Sequence, residues 1–141
     1  MTPQQIEMVQ QSFAKVIPIA DQAATLFYDR LFEIAPEVKP MFHAADMAEQ
    51  RRKLMATLGV VVTGLSRLET VLPAASALAK RHVGYGVKDE HYPIVGSALL
   101  WTLEKGLGDG WTPEVAEAWT TAYGTLSGYM ISEAHTAQAA E

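Results

Sequence analysis

Apolar side chains recur at three- and four-residue intervals along nearly all of this chain, and no stretch alternates as a half-buried strand would. The spacing predicts six substantial helices and one short one. Thr2-Pro3-Gln4-Gln5 opens the first: Thr2 caps, Pro3 suits the first helical position and Gln5 completes a capping box. Ile6, Val9, Phe13 and Val16 form its apolar face, and Pro18 ends it. The second helix runs to about Ile34 on a stripe of Ala23, Phe27, Leu31 and Ile34. Pro36 and Pro40 punctuate a short connection that closes on Met41-Phe42-His43. The third spans about Met47 to Leu65, with Leu54, Leu58, Val61, Val62 and Leu65 on its inner face. The fourth, roughly Leu68 to His82, carries Leu72, Ala75, Leu78 and His82, and tolerates Pro73 near its first turn. Gly84 and Gly86 break the chain after it. The fifth begins near Asp89, carries Tyr92, Val95, Leu99 and Leu103, and stops at Gly106-Leu107-Gly108-Asp109-Gly110. Thr112-Pro113-Glu114 starts the last with a cap, a first-turn proline and an acid favoured by the helix dipole. Its stripe is Val115, Trp119, Tyr123, Leu126 and Met130, and residues 134–141 are expected to fray. The class is all-α, one domain over residues 1–141; a plain helical bundle is the commonest alternative.

Composition narrows the function. A chain of 141 residues, 49% hydrophobic and 19% charged, is long and apolar enough for one real core. A net charge of −5 argues against nucleic acid as the main partner, because phosphate binding wants a basic face. The longest near-apolar stretch, Leu58 to Leu65, is too short to span a bilayer. Met1-Thr2-Pro3-Gln4-Gln5 shows no basic run before an apolar one, so a cytoplasmic protein with no membrane partner is expected. The absence of cysteine excludes disulfides, thiolate catalysis and cysteine-ligated metal sites.

His82 is the residue that asks for a reason, because an unpaired imidazole on an apolar face costs free energy. Alone it reads as well as a satisfied core histidine as it does a metal ligand. Gln50 lies one turn before Leu54 and shares its face; it is either a boundary glutamine or a ligand-facing amide. Tyr28, beside Phe27, is either a core tyrosine bonded to a carbonyl or a polar group in a pocket. His91 reads as a capping or surface residue, His43 as facing a pocket edge or solvent, and His135 as solvated. No two histidines have the close helical spacing of a zinc site, so a single histidine ligand points to a metal already held by a macrocycle, as in haem. The glycine-rich turn at 106–110 follows a helix rather than a strand and fails the context for nucleotide binding. Arg51-Arg52-Lys53 is in the main a solvated face, from which Lys53 could reach a pocket rim.

The order of these signals carries a resemblance: Phe27-Tyr28, Pro36-Glu37-Val38 through Pro40-Met41-Phe42, Gln50 with Leu54, Lys80-Arg81-His82, His91-Tyr92-Pro93-Ile94-Val95-Gly96, Ala118-Trp119 and Ala122-Tyr123-Gly124. Over about residues 4–133 the chain resembles bacterial single-domain globins and the haem domain of flavohaemoglobins. The resemblance implies a three-over-three helical sandwich around haem b. It gives His82 the iron, Phe42 a haem-packing position, Tyr28 and Gln50 the distal polar positions, and Leu54 the apolar closure of the distal pocket. It places Val87, Tyr92, Val95 and Tyr123 around the proximal side, and makes Lys53 and Arg81 partners for the propionates. A hydrogen-bond donor beside a gas that draws charge from iron would slow its release. The chain departs from the flavohaemoglobin pattern at one point. Glu133 falls one residue short of the glutamate spacing after Tyr123, about 100° of helix rotation, so a backbone carbonyl is the rival acceptor for the second nitrogen of His82. The reductase domain of a flavohaemoglobin is not in this sequence.

Three functions follow. The first is reversible binding of O2, with NO and CO as related ligands, as an oxygen carrier, store or scavenger. The second is nitric oxide dioxygenase or related NO or peroxide detoxification fed by a separate reductase. The third is a haem-free globin fold serving as an interaction module.

Overall fold

The helix start at Thr2 forms as its residues dictate: the Thr2 hydroxyl accepts the Gln5 N–H at 3.1 Å, and the Gln5 side chain accepts the Thr2 N–H at 3.0 Å. The computed structural model describes residues 1–42, 46–84 and 87–140, the last five by backbone alone. His43 and Gly86 lie outside the described residues. Within those residues the chain forms α1 (Pro3–Val16), α2 (Ala20–Ile34), α3 (Met47–Thr63), α4 (Leu68–Gly84), α5 (His91–Leu107) and α6 (Pro113–Ala140). Tight 3-10 turns at Ile17–Ile19, Pro36–Phe42, Gly64–Ser66 and Gly108–Gly110 join them, and no described residue is in a strand. No helix is long and apolar enough to cross a membrane, among the described residues.

Three expectations need correction. Ile34 is exposed, because the chain turns at Ala35 and that residue, 0% exposed, takes the core position. Leu72 is also exposed; its neighbour Val71 is buried in its place, with Ala75 and Ala79, while Leu78 and His82 are half-buried. α5 begins at His91 rather than Asp89. α6 continues to Ala140, and Ala134 is buried.

The buried residues divide into two cores. The larger gathers Val9, Phe13 and Val16 of α1, Phe27 and Leu31 of α2, Val62 of α3, Leu99 and Leu103 of α5 and Trp119 of α6. Trp119 satisfies its indole N–H with the buried Ser12 hydroxyl at 2.8 Å, which in turn donates to the Val9 carbonyl. The smaller core is Ala75 and Ala79 of α4 against Tyr92 and Met130, flanked by Leu78, Val87, Leu126, Tyr129 and Ile131. The most extensive helix pairings are α4 on α6, α2 on α5 and α1 on α6. α3 and α4 share the turn at Gly64–Ser66 but make no substantial contact of their own. α4 is therefore mounted on α6 rather than on α3.

Gly96 sets the distance between α5 and α6. A Cβ there would fall 2.6 Å from Cε2 of Tyr123, and that ring is anchored because its hydroxyl donates to the Tyr92 carbonyl. Gly96→Ala is expected to destabilise the fold by about 1–3 kcal/mol, the usual cost of overpacking. The check is a lowered urea midpoint with an unchanged slope.

Candidate functional site: two walls around His82

One wall is aromatic with a polar point. α2 presents Phe27 and Tyr28 in edge contact, ring centres 4.9 Å apart, and Phe42 at the end of the 3-10 turn meets Tyr28 edge-on at 5.6 Å. Phe32 closes the cluster against Phe42 at 5.5 Å. These geometries are the edge-to-face arrangements that ring quadrupoles favour, so Tyr28 is held by its neighbours. α3 is capped by Asp46, whose carboxylate accepts the Ala48 N–H at 3.0 Å, and its first turn carries Gln50. The Gln50 side chain lies near enough to act on the Tyr28 phenol. Burial pushes the Tyr28 phenol above its usual value, and Gln50 partly offsets that, so the hydroxyl stays protonated and able to donate. Leu54, one turn beyond Gln50, is half-buried and packs on the larger core. A cavity of about 500 Å³ opens on the flank of this wall among Phe32, Pro36, Pro40, Phe42 and Met47.

The other wall belongs to α4 and the start of α5. His82 is half-buried, and its Nδ1 lies 2.8 Å from the Leu78 carbonyl one turn back. A carbonyl can only accept, so Nδ1 carries the proton and Nε2 carries the lone pair. The Tyr92 ring lies beside the imidazole, centres 6.3 Å apart and planes within 23° of parallel. The Tyr92 hydroxyl is buried and has no hydrogen-bond partner among the described residues. Burial, then the nearby Asp89 carboxylate, raise that phenol. Tyr123 is raised as well, first by burial and then by Tyr92. The Val87 N–H donates to the His82 carbonyl, closing α4, and Val87 packs on the smaller core. Val95 packs on the larger core from α5.

Glu133 does not serve His82. It accepts from the Tyr129 hydroxyl at 3.1 Å, one turn back on α6, because the missing residue of spacing turns it away from His82. Ser76 and then Tyr129 hold its carboxyl below the usual carboxylate value. Lys53 is exposed and loosely paired with Glu49 at 3.7 Å, and Arg81 is exposed. His91 is buried rather than on the surface, and it does cap: its Nδ1 accepts the Lys88 N–H at 2.9 Å. His135 is exposed as expected, and its ring lies 2.6 Å from Asp89. Ser76 and Tyr129 were missed from the sequence. The visible signal was the i,i+4 pair Tyr129–Glu133 at a helix face otherwise apolar.

The donor set tests which group such a pocket suits. Among the described residues no three His, Cys, Asp or Glu side chains converge as a metal cage would require. One neutral imidazole with its lone pair on Nε2 is instead what an iron already held by four macrocycle nitrogens needs. The residues present fit a haem.

An all-helical chain with one polarised imidazole, and an aromatic cluster with an amide beside it on other helices, points to a class of protein. A family model described as Globin matches residues 25–130, and the chain belongs to the globin family. It is 37% identical over 128 residues to a flavohemoprotein of Rhodopirellula baltica, covering 89% of this chain and 31% of that protein. It is 34% identical over 107 residues to the flavohemoprotein of Bacillus subtilis, covering 74% of this chain and 27% of that one. The chain thus spans about a third or less of these relatives. Among solved structures, a bacterial globin from Campylobacter jejuni superposes with a TM-score of 0.85 at 28% identity, over 96% of this chain and 97% of that one. An engineered carbene transferase from Rhodothermus marinus shares the fold, with a TM-score of 0.88 at 23% identity over 99% and 97%.

Burial lowers the pKa of His82; the Leu78 carbonyl partly offsets this, and Arg81 adds to the lowering. Folding therefore favours the neutral ring. Its contribution to stability is present above the unfolded value of about 6.5 and is lost as pH falls from there through the folded value. Without haem, wild-type chain should lose urea resistance as pH falls below about 6.5 more steeply than His82→Leu. Parallel pH profiles for the two would contradict this account of His82.

Proposed function

We propose that this globin binds a haem in the cleft between α3 and α4, with His82 as the iron's protein ligand, and holds O2 reversibly as a cytoplasmic carrier, store or scavenger. The bound haem supplies an iron that takes up diatomic gases, O2 with NO and CO as related ligands. The single observation that carries the reading is the His82 tautomer: the Leu78 carbonyl fixes the proton on Nδ1 and leaves Nε2 as the ligating nitrogen. The flavohemoprotein relatives support it, because their name is that of a haem protein.

The remaining residues divide the work by chemistry. Tyr28 and Gln50 present a hydroxyl and an amide as donors on the ligand side. Preorganised donors gain more than ones that must leave water first. Phe42 and Leu54 line the same side with apolar surface and exclude water. Tyr92, Val87, Val95 and Tyr123 support the proximal side. Lys53 and Arg81, exposed cations, would serve the haem carboxylates at the rim.

The acceptor behind His82 separates holding from turnover. A neutral carbonyl pulls the imidazole proton less than a carboxylate does, so the ring donates less charge to the iron. That favours an oxygen-holding protein over nitric oxide dioxygenase or peroxide chemistry driven by a separate reductase. Failure to sustain nitric oxide consumption with a cellular reductant is the matching expectation. The haem-free interaction module accounts for neither the His82 tautomer nor the Tyr28–Gln50 pair.

A hydrogen bond to a charged partner contributes roughly 1.5–3 kcal/mol, and about 1.4 kcal/mol is tenfold in an equilibrium. Tyr28→Phe should therefore raise the oxygen dissociation rate at least about tenfold. Stopped-flow displacement of oxygen by carbon monoxide measures it. An unchanged rate removes Tyr28 from the role.

A further inference from the structure

The 3-10 turn Pro36–Phe42 has two faces. Three residues complete each turn of such a helix, so side chains three apart eclipse. Pro36, Lys39 and Phe42 therefore stand in one row. Val38 lies off that row and is buried in the larger core, on which Met41 also packs, while Pro36 and Lys39 are exposed. Together with Pro40, Phe32 of α2 and Met47 of α3, the row lines the cavity of about 500 Å³. None of these residues comes from α4 or α5, the helices that carry His82 and Tyr92. The cavity is thus a second concavity, which shares the Phe42 ring with the aromatic wall and nothing with the imidazole.

The lining says what would enter. Two phenyl rings, two pyrrolidine rings and a thioether leave one charged group, the Lys39 ammonium. Phenyl rings and a thioether offer an incoming flat ring edge-to-face and sulfur contacts, which an alkyl chain cannot use. Among the described residues the ion pairs are Arg30–Glu33, Lys53–Glu49 and His135–Asp89, and Lys39 is in none of them. Glu37 of the same turn does not line the cavity. The charge on offer is therefore a single positive one. Pro36 and Pro40 fix the backbone of the turn, and Phe32 and Phe42 brace each other with ring centres 5.5 Å apart. Such walls stand ready before anything enters, which lowers the cost of binding. Small-molecule sites run to about 300–1,000 Å³, mostly apolar with a few placed polar groups.

We propose that this cavity binds one aromatic monocarboxylate, its ring against Phe32, Phe42 and Met47 and its carboxylate on the Lys39 ammonium. The proposal goes beyond the binding of haem and gas and rests on neither.

Naphthoate is the probe, and naphthylmethanol, the same ring without the charge, is its control. Calorimetric titration of the haem-loaded protein gives the affinity. Methyl labelling of the methionines, read by NMR in the ferrous, carbon monoxide-bound form, gives the place. Naphthoate should saturate at one per chain and shift the Met47 methyl, leaving Met130 of the smaller core unmoved. Lys39→Glu exchanges attraction for repulsion and should weaken naphthoate about tenfold while naphthylmethanol binds as before. Absence of saturable binding, an unmoved Met47 methyl, or equal naphthoate affinity in Lys39→Glu overturns the proposal. So does naphthoate that binds the haem-free chain and is displaced as haem is added, which would put it in the haem site. If wild-type chain takes up no haem, the proposed function fails, and the same titrations on that chain still decide this proposal.

Discussion

α4 is held against α6 and kept off α3, and the pocket depends on that arrangement. Two consecutive helices joined by the tight turn at Gly64–Ser66 would ordinarily pack on each other and bury their facing sides. Here each finds its apolar partner elsewhere. α3 gives Val62 to the larger core, and α4 gives Ala75 and Ala79 to a separate one with Met130 and Tyr92. α3 and α4 are thereby seated in different cores, which is what leaves room for a pocket to be proposed between them.

The chemistry of the two walls follows from what each core leaves available. The α2 wall is rigid because four aromatic rings brace one another, which lets a buried phenol keep a fixed direction. The α4 wall is rigid only along its own axis, through Leu78 and His82, and borrows the rest of its order from α6. The long α6 thus serves the larger core through Trp119 and the smaller one through Met130. The segment that sequence marks as a loose end begins immediately beyond the residues that seat the proximal helix.

Helix number, most boundaries and the residues of both walls were legible because each leaves a strong local sign. A capping box at Thr2, prolines at 36 and 40 and the glycine run at 106–110 act within a few residues, and the structure puts breaks where they stand. Tyr28, Gln50 and His82 stood out as polar residues on apolar faces. The choice of Val71 over Leu72 was not legible: Leu68-Glu69-Thr70-Val71-Leu72-Pro73-Ala74-Ala75 offers apolar candidates on two sides, and alanine burial gives almost no periodic contrast. Ile34 was misread because a turn at Ala35, set by backbone angles rather than hydrophobicity, takes its place in the core. The destination of Glu133 was half legible: the spacing argued that it misses His82, but not that it would pair with Tyr129 one turn back.

The central claim is that one imidazole, presented from α4 with its lone pair on Nε2, makes this pocket a haem site. Titration of the purified chain with haem, followed by its Soret absorbance, tests it most directly. The account predicts saturation at one haem per chain, with the band sharp in wild type, retained in Tyr28→Phe and lost or strongly weakened in His82→Ala. Absence of saturable uptake by wild type, or an unaltered band in His82→Ala, would contradict it.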